Sequence, residues 1–123
     1  MNRDPKDTLS AALALGQNGG MPTRLELADL PPDASRAHQA IAGHARVAVL
    51  RYLLDNPAMS RPRIVEGTGV SAGGVRSALQ ELEALGYVLA DVQAPRRGQR
   101  IRYTANRAAL TDDLTAFVAW MLR

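Results

Sequence analysis

The chain has 123 residues, of which 46% are hydrophobic and 22% charged, as expected for one globular domain. It contains no Cys, which excludes disulfides, thiolate metal sites and a cysteine nucleophile. No apolar run approaches the roughly 20 residues of a membrane-spanning helix, so we expect a soluble, cytoplasmic protein without a membrane partner.

The formal charge of +3 is distributed unevenly along the chain. Residues 45–111 hold ten arginines against five carboxylates, whereas the segments on either side are slightly acidic. A basic block of this kind is either a polyanion-binding surface or a solvated face. Composition does not separate the two, so the placement of each arginine must decide.

The first 33 residues are interrupted by glycines and prolines, and we interpret residues 1–33 as a flexible N-terminal arm. Residues 34–123 then form one domain. Apolar spacing predicts helical structure from Ser35, with Gly43 as a break between two helices and Asn56–Pro57 as the end.

The next two predicted helices are joined by a tight turn. A short helix begins at Ser60 and ends by Gly69, and Ser71 caps a longer helix that stops at Gly86. The longer helix has one clean apolar stripe, formed by Val75, Ala78, Leu79, Leu82 and Leu85.

After Gly86 the hydrophobic period changes from 3.6 to 2. Tyr87–Val92 is a predicted strand, 93–99 a turn, and Arg100–Thr104 the returning strand, with arginines on one face. A last helix follows over Arg107–Leu122. The predicted fold class is therefore mostly α with a small two-stranded β hairpin.

Two helices joined by the turn Gly69–Val70–Ser71 form a helix-turn-helix, in which the second helix enters the DNA major groove. The outer face of that helix carries groups that suit base edges and phosphates, since Arg pairs well with guanine and Gln with adenine. An ordinary solvated face with a flexible helix start is the alternative. The candidate DNA-binding residues are Ser71, Gly73, Gly74, Arg76, Ser77 and Gln80.

The hairpin supplies a second cationic group. Arg96 and Arg97 stand at its tip, and Arg100 and Arg102 line one face behind them. Such a tip suits a minor groove or flanking phosphates, with a solubilising turn as the alternative.

Residues 43–106 resemble the winged helix-turn-helix of bacterial transcription regulators, most closely the ArsR type. Residues 43–54 are similar to that family's opening helix, and residues 71–88 resemble its recognition helix and the start of its wing. The matching positions are Arg46, Val49, Leu50, Leu53, Val75, Leu79, Leu82, Gly86 and Val88.

The resemblance implies a sequence-specific regulator of transcription, a homodimer and a repressor, that binds double-stranded DNA. A recognition helix at about 71–85 would occupy the major groove, and a wing at 93–102 would contact the backbone or the minor groove. A winged-helix module that binds protein rather than DNA is the alternative, and a sensor of an effector that the sequence does not identify is a third hypothesis.

The closing helix carries an apolar stripe that suits subunit pairing, together with the helix around Ala37–Ile41. The predicted dimer-interface residues are Leu110, Leu114, Phe117, Val118 and Met121.

No metal, cofactor or catalytic function is predicted. His38 and His44 are the only histidines, and they do not share a helical face. Asp112 and Asp113 are adjacent, so on a helix they diverge by about 100°. No spacing of nucleophile, base and orienting group indicates an enzyme.

Overall fold

The computed structural model describes residues 29–92 and 100–123. Within these ranges the chain forms helices α1 to α5 and a two-stranded antiparallel sheet. In chain order the elements are α1 Pro32–Ile41, α2 His44–Asp55, α3 Arg61–Thr68, α4 Ala72–Leu85, β1 Val88–Ala90, β2 Tyr103–Ala105 and α5 Arg107–Leu122. Most of the predicted arm and the turn 93–99, with Arg96 and Arg97, lie outside the described residues.

The first helix begins at Pro32, so the predicted start at Ser35 is wrong. Pro31 is extended and Pro32 is the first helical residue, a position where proline's missing N–H has no cost. The Asp33 carboxylate accepts a hydrogen bond from the Ala34 amide at 2.8 Å. The two prolines therefore mark a helix start and not a helix-breaking segment. The predicted break at Gly43 is confirmed, because α2 begins directly after it.

The predicted turn chemistry of the helix-turn-helix is confirmed. Gly69 ends α3 with a left-handed φ of 75°, and Gly86 ends α4 with a φ of 88°. Ser71 Oγ accepts a hydrogen bond from the Gly74 amide at 3.0 Å and so caps α4. These residues fix the direction in which α4 leaves the turn.

The hairpin ladder is shorter than the predicted strands, and its second strand lies nearer to α5. The register pairs Val88 with Ala105 and Ala90 with Tyr103. The strands Tyr87–Val92 and Arg100–Thr104 are therefore wrong in their bounds. The Asn106 amide donates to the Tyr87 carbonyl at 2.7 Å, which holds the two segments together up to the start of α5.

The core lies between α2, α3, α4 and the sheet, and α1 packs mainly on α5. The predicted inner stripe of α4 is confirmed, since Val75, Ala78, Leu79 and Leu82 are buried. Full burial of such a side chain contributes about 1.5–3 kcal/mol, so this stripe holds α4 firmly with its opposite face outward. In the part of the chain described here, no helix is long and apolar enough to cross a membrane.

A polar link joins α1, α5 and the segment after α4. Tyr87 Oη donates to Asp113 Oδ2 at 2.6 Å, and Arg36 Nε donates to the same oxygen at 3.1 Å. Burial, and then the hydrogen bond to Asp113, raise the pKa of Tyr87, so the phenol stays a donor. Sequence analysis weighed Asp113 only as a metal ligand, because its two partners lie far from it in the chain.

Candidate nucleic-acid interface

The outer face of α4 carries the predicted base-contacting side chains. Arg76, Ser77 and Gln80 are all exposed, because the buried stripe occupies the opposite side of the helix. A Cβ added at Gly73 would meet no atom within 4 Å, so the space above the start of α4 is open to a ligand. The helix N-terminus adds a partial positive charge at this place.

Gly74 has a packing role that the sequence did not reveal. A Cβ at this position would lie 2.8 Å from Val70 Cγ1 and 3.1 Å from Ser71 Oγ. Val70 is half-buried and packs against the core, so the turn folds tightly over the start of α4. The absence of a side chain at Gly74 is therefore explained by this turn without any phosphate.

The base of the hairpin presents the other cationic side chains. Arg100 and Arg102 are exposed, whereas Ile101 is half-buried and Tyr103 is buried, so the predicted alternation is confirmed. The Arg102 amide donates to Asp91 Oδ1 at 2.9 Å, which ties the main chain of the hairpin and leaves the guanidinium outward.

Two arginines that sequence analysis did not assign to the site complete this surface. Arg61 and Arg63 are exposed in the first turn of α3. The Arg-Pro-Arg start of a helix was the available signal, but in so short an element it indicated only a helix start. A groove of about 550 Å³ brings both arginines to the base of the hairpin; its lining is Ala58, Met59, Ser60, Arg61, Pro62, Arg63, Arg100, Ile101 and Arg102.

A second groove joins the first to α4. Arg61 and Pro62 line it on one side, and Gly73 and Arg76 line it on the other. One continuous surface therefore runs from the hairpin across the start of α3 to the start of α4. We call this surface the cationic face, formed by Arg61, Arg63, Arg76, Arg100 and Arg102.

The cationic face is not neutralised by the described part of the chain. The ion pairs found there use other arginines, at Arg36, Arg46, Arg51 and Arg123. No carboxylate lines either groove. Unpaired guanidinium groups gathered on one side favour the binding of an anion, since each offers several fixed donors.

The comparisons agree with this geometry. Residues 44–88 match the family model of the winged helix-turn-helix DNA-binding type. An ArsR-like transcriptional regulator from Rhodococcus sp. RHA1 is similar in structure, with a TM-score of 0.58, 23% identity, and coverage of 72% of this chain and 78% of its own. The protein has the ArsR-like winged helix-turn-helix fold.

Two further solved structures share the ArsR-like fold. An ArsR family transcriptional regulator gives a TM-score of 0.57 at 19% identity, covering 76% of this chain and 95% of its own. The cadmium metal sensor CMTR from Mycobacterium tuberculosis gives 0.50 at 25% identity, covering 72% and 87%. No curated protein sequence matches the chain.

In this ArsR-like chain the predicted dimer stripe of α5 divides into an inner and an outer part. Leu110 is buried, and Leu114 packs against the core. Val118 and Met121 are 50% and 56% exposed. The inner members therefore stabilise the single chain, and only the outer members are available to a second one.

Aromatic side chains stand next to this outer part. The rings of His38 and Phe117 stack with centroids 5.7 Å apart, and those of Phe117 and Trp120 are 6.1 Å apart. His38 lies on α1 and His44 on α2, and the described residues include no group of three side chains suited to a metal ion.

Proposed function

We propose that the protein is a sequence-specific transcription regulator that binds double-stranded DNA as a homodimer and acts as a repressor. The cationic face, continuous with the outer side of α4 in a winged helix-turn-helix, is the observation that supports this most strongly. Repression follows simply if the bound dimer covers a promoter, because it then excludes the polymerase.

In this proposal α4 lies in the major groove and distinguishes the bases. A groove about 12 Å wide admits one helix, and the first residues of that helix go deepest. Arg76 and Gln80 are one turn apart on the exposed face, so both reach base edges from one insertion. Ser71, Gly73, Gly74 and Ser77 form the rest of the contact surface, nearest the backbone.

The wing contacts the backbone or the minor groove in the same proposal. Arg100 and Arg102 are exposed at its base. Arg96 and Arg97 are assigned to its tip from the sequence alone. Phosphate contacts orient the protein on the duplex, and the base contacts of α4 then choose the site.

Replacing Arg76 by Ala should remove the preference at one base pair of the operator and weaken operator binding by about 1–3 kcal/mol. The fold should not change, because Arg76 is exposed and makes no ion pair in the described part of the chain. Selection of bound sequences from a random duplex pool, followed by affinity measurements on single-base variants, tests both expectations.

Arg51→Ala is the matched control for Arg76→Ala. Arg51 is also exposed on a helix but pairs with Asp55, four residues on. Its loss should leave the selected sequence unchanged. If the wild-type protein enriches no sequence at all, the proposal fails and a protein-binding winged helix takes its place.

Metal ions should not control this protein, although the similar structure CMTR is that of a cadmium sensor. The sequence holds no cysteine, so no thiolate is available to a soft metal. Adding zinc or cadmium, or a chelator, should leave operator affinity unchanged at fixed ionic strength. A tenfold change in affinity together with tight stoichiometric binding of metal would overturn this expectation.

A further inference from the structure

We propose that Arg61 and Arg63 of α3, with Arg100 and Arg102 across the groove, form a site for the phosphates of one DNA strand between the major-groove helix and the wing. This assignment rests on the proposed function and adds α3 to the binding surface. It differs from the contacts predicted by sequence, which end at α4 and the hairpin.

The groove has walls whose separation is fixed by the main chain. Met59 and Tyr103 exchange two backbone hydrogen bonds, of 3.0 Å and 2.8 Å, at the floor between α3 and the hairpin. The Ala58 amide also donates to Thr104 Oγ1 at 3.1 Å. The arginines on the two sides therefore face one shared space without depending on each other's side chains.

The charges in the groove are all of one sign. Four guanidinium groups line it, and no carboxylate does. The nearest hairpin carboxylate, Asp91, accepts from the Arg102 main chain at 2.9 Å. A concave surface with charge of one sign focuses its field and concentrates oppositely charged groups. The first turn of α3 adds its own partial positive charge to the same place.

The position of the groove favours phosphates over bases. Arg61 also lines the neighbouring groove with Arg76, so the bound strand would be the one that borders the bases met by α4. Arg63 lies within the same first turn, where a strand can pass from one arginine to the next. Guanidinium groups bind phosphate oxygens in a forked arrangement that suits this strand.

The test compares Arg61→Gln/Arg63→Gln with the wild-type full chain on the operator and on a random duplex of equal length. The slope of log affinity against log salt should become shallower by about two, at roughly 0.9 per lost phosphate contact. Both duplexes should lose affinity by the same factor, because phosphates carry no sequence information. Arg61→Lys/Arg63→Lys should keep the wild-type slope, since the charge remains.

Arg51→Gln/Arg123→Gln removes the same charge elsewhere and should change the slope by less than half a unit. Duplexes with single neutral methylphosphonates add a positional check: specific positions on one strand should weaken the wild type and leave Arg61→Gln/Arg63→Gln unaffected. A wild-type slope in that variant, or an equal change in the control, overturns the assignment. If the wild type binds neither duplex at low salt, the proposed function fails, which is a different result.

Discussion

Replacing Asp113 by Ala should lower the free energy of unfolding by about 2–3 kcal/mol. The change leaves the hydroxyl of Tyr87, a residue with 0% exposure, without its acceptor, and a buried unsatisfied donor carries the full cost of desolvation. The Arg36 guanidinium is 43% exposed and recovers water, so it adds little to the loss. Chemical denaturation at neutral pH measures the difference.

Asp112→Ala is the matched control, because Asp112 is the exposed neighbour on the same helix. It should leave stability within about 0.5 kcal/mol of the wild type. Asp113→Leu combined with Tyr87→Phe removes both partners and should recover part of the loss. An Asp113→Ala protein as stable as the wild type would mean that the polar link does not hold α5 in place.

The same carboxylate makes stability depend on acid. Burial alone would raise the pKa of Asp113, but the hydrogen bonds from Tyr87 and Arg36 and the charge of Arg36 outweigh it and hold this pKa below its usual value. The contribution is therefore complete above the unfolded pKa of about 3.9 and is lost as the pH falls through the lower folded pKa. Asp113→Asn should show a shallower loss of stability below pH 4.

Changing Val118 and Met121 together to Asp should convert a dimer into a monomer and weaken binding to a palindromic operator by a hundredfold or more. Both side chains are at least half exposed, so the single chain keeps its core. Charges on this face oppose its burial against a second copy, and two linked recognition helices gain 10²–10⁴ in avidity that a monomer lacks. Light scattering and operator titration measure the two effects.

Leu89→Asp serves as the control for oligomeric state, because Leu89 is equally exposed but lies on β1. Leu114 is a poor choice for this experiment, since it packs against the core and its replacement by Asp would also unfold the chain. A dimer that persists in Val118→Asp/Met121→Asp would place the interface on another face.

Local patterns were sufficient to predict most of the fold. The stripe of α4 and the glycines at 69 and 86 depend on neighbours within one or two turns, so period and turn chemistry identified them. The start of α1 was missed because Pro31–Pro32 was interpreted as a break, whereas proline also suits a first helical turn.

The candidate site was less accessible to sequence analysis, because it depends on contacts between distant segments. Arg61 and Arg63 become relevant only when the Met59–Tyr103 pairing brings α3 against the hairpin. In the same way, Asp113 acquires its role from Tyr87 and Arg36, which are 26 and 77 residues away. No periodicity in one chain reports such pairings.

The division between main-chain and side-chain contacts bears on how such a regulator acquires new targets during evolution. The width of the groove is set by backbone hydrogen bonds at Met59 and Tyr103, which survive most substitutions. Arg76, Ser77 and Gln80 are exposed and take no part in the core, so exchanging them has little effect on stability. After gene duplication, one copy can therefore drift to a different operator through α4 alone while it keeps its hold on the duplex.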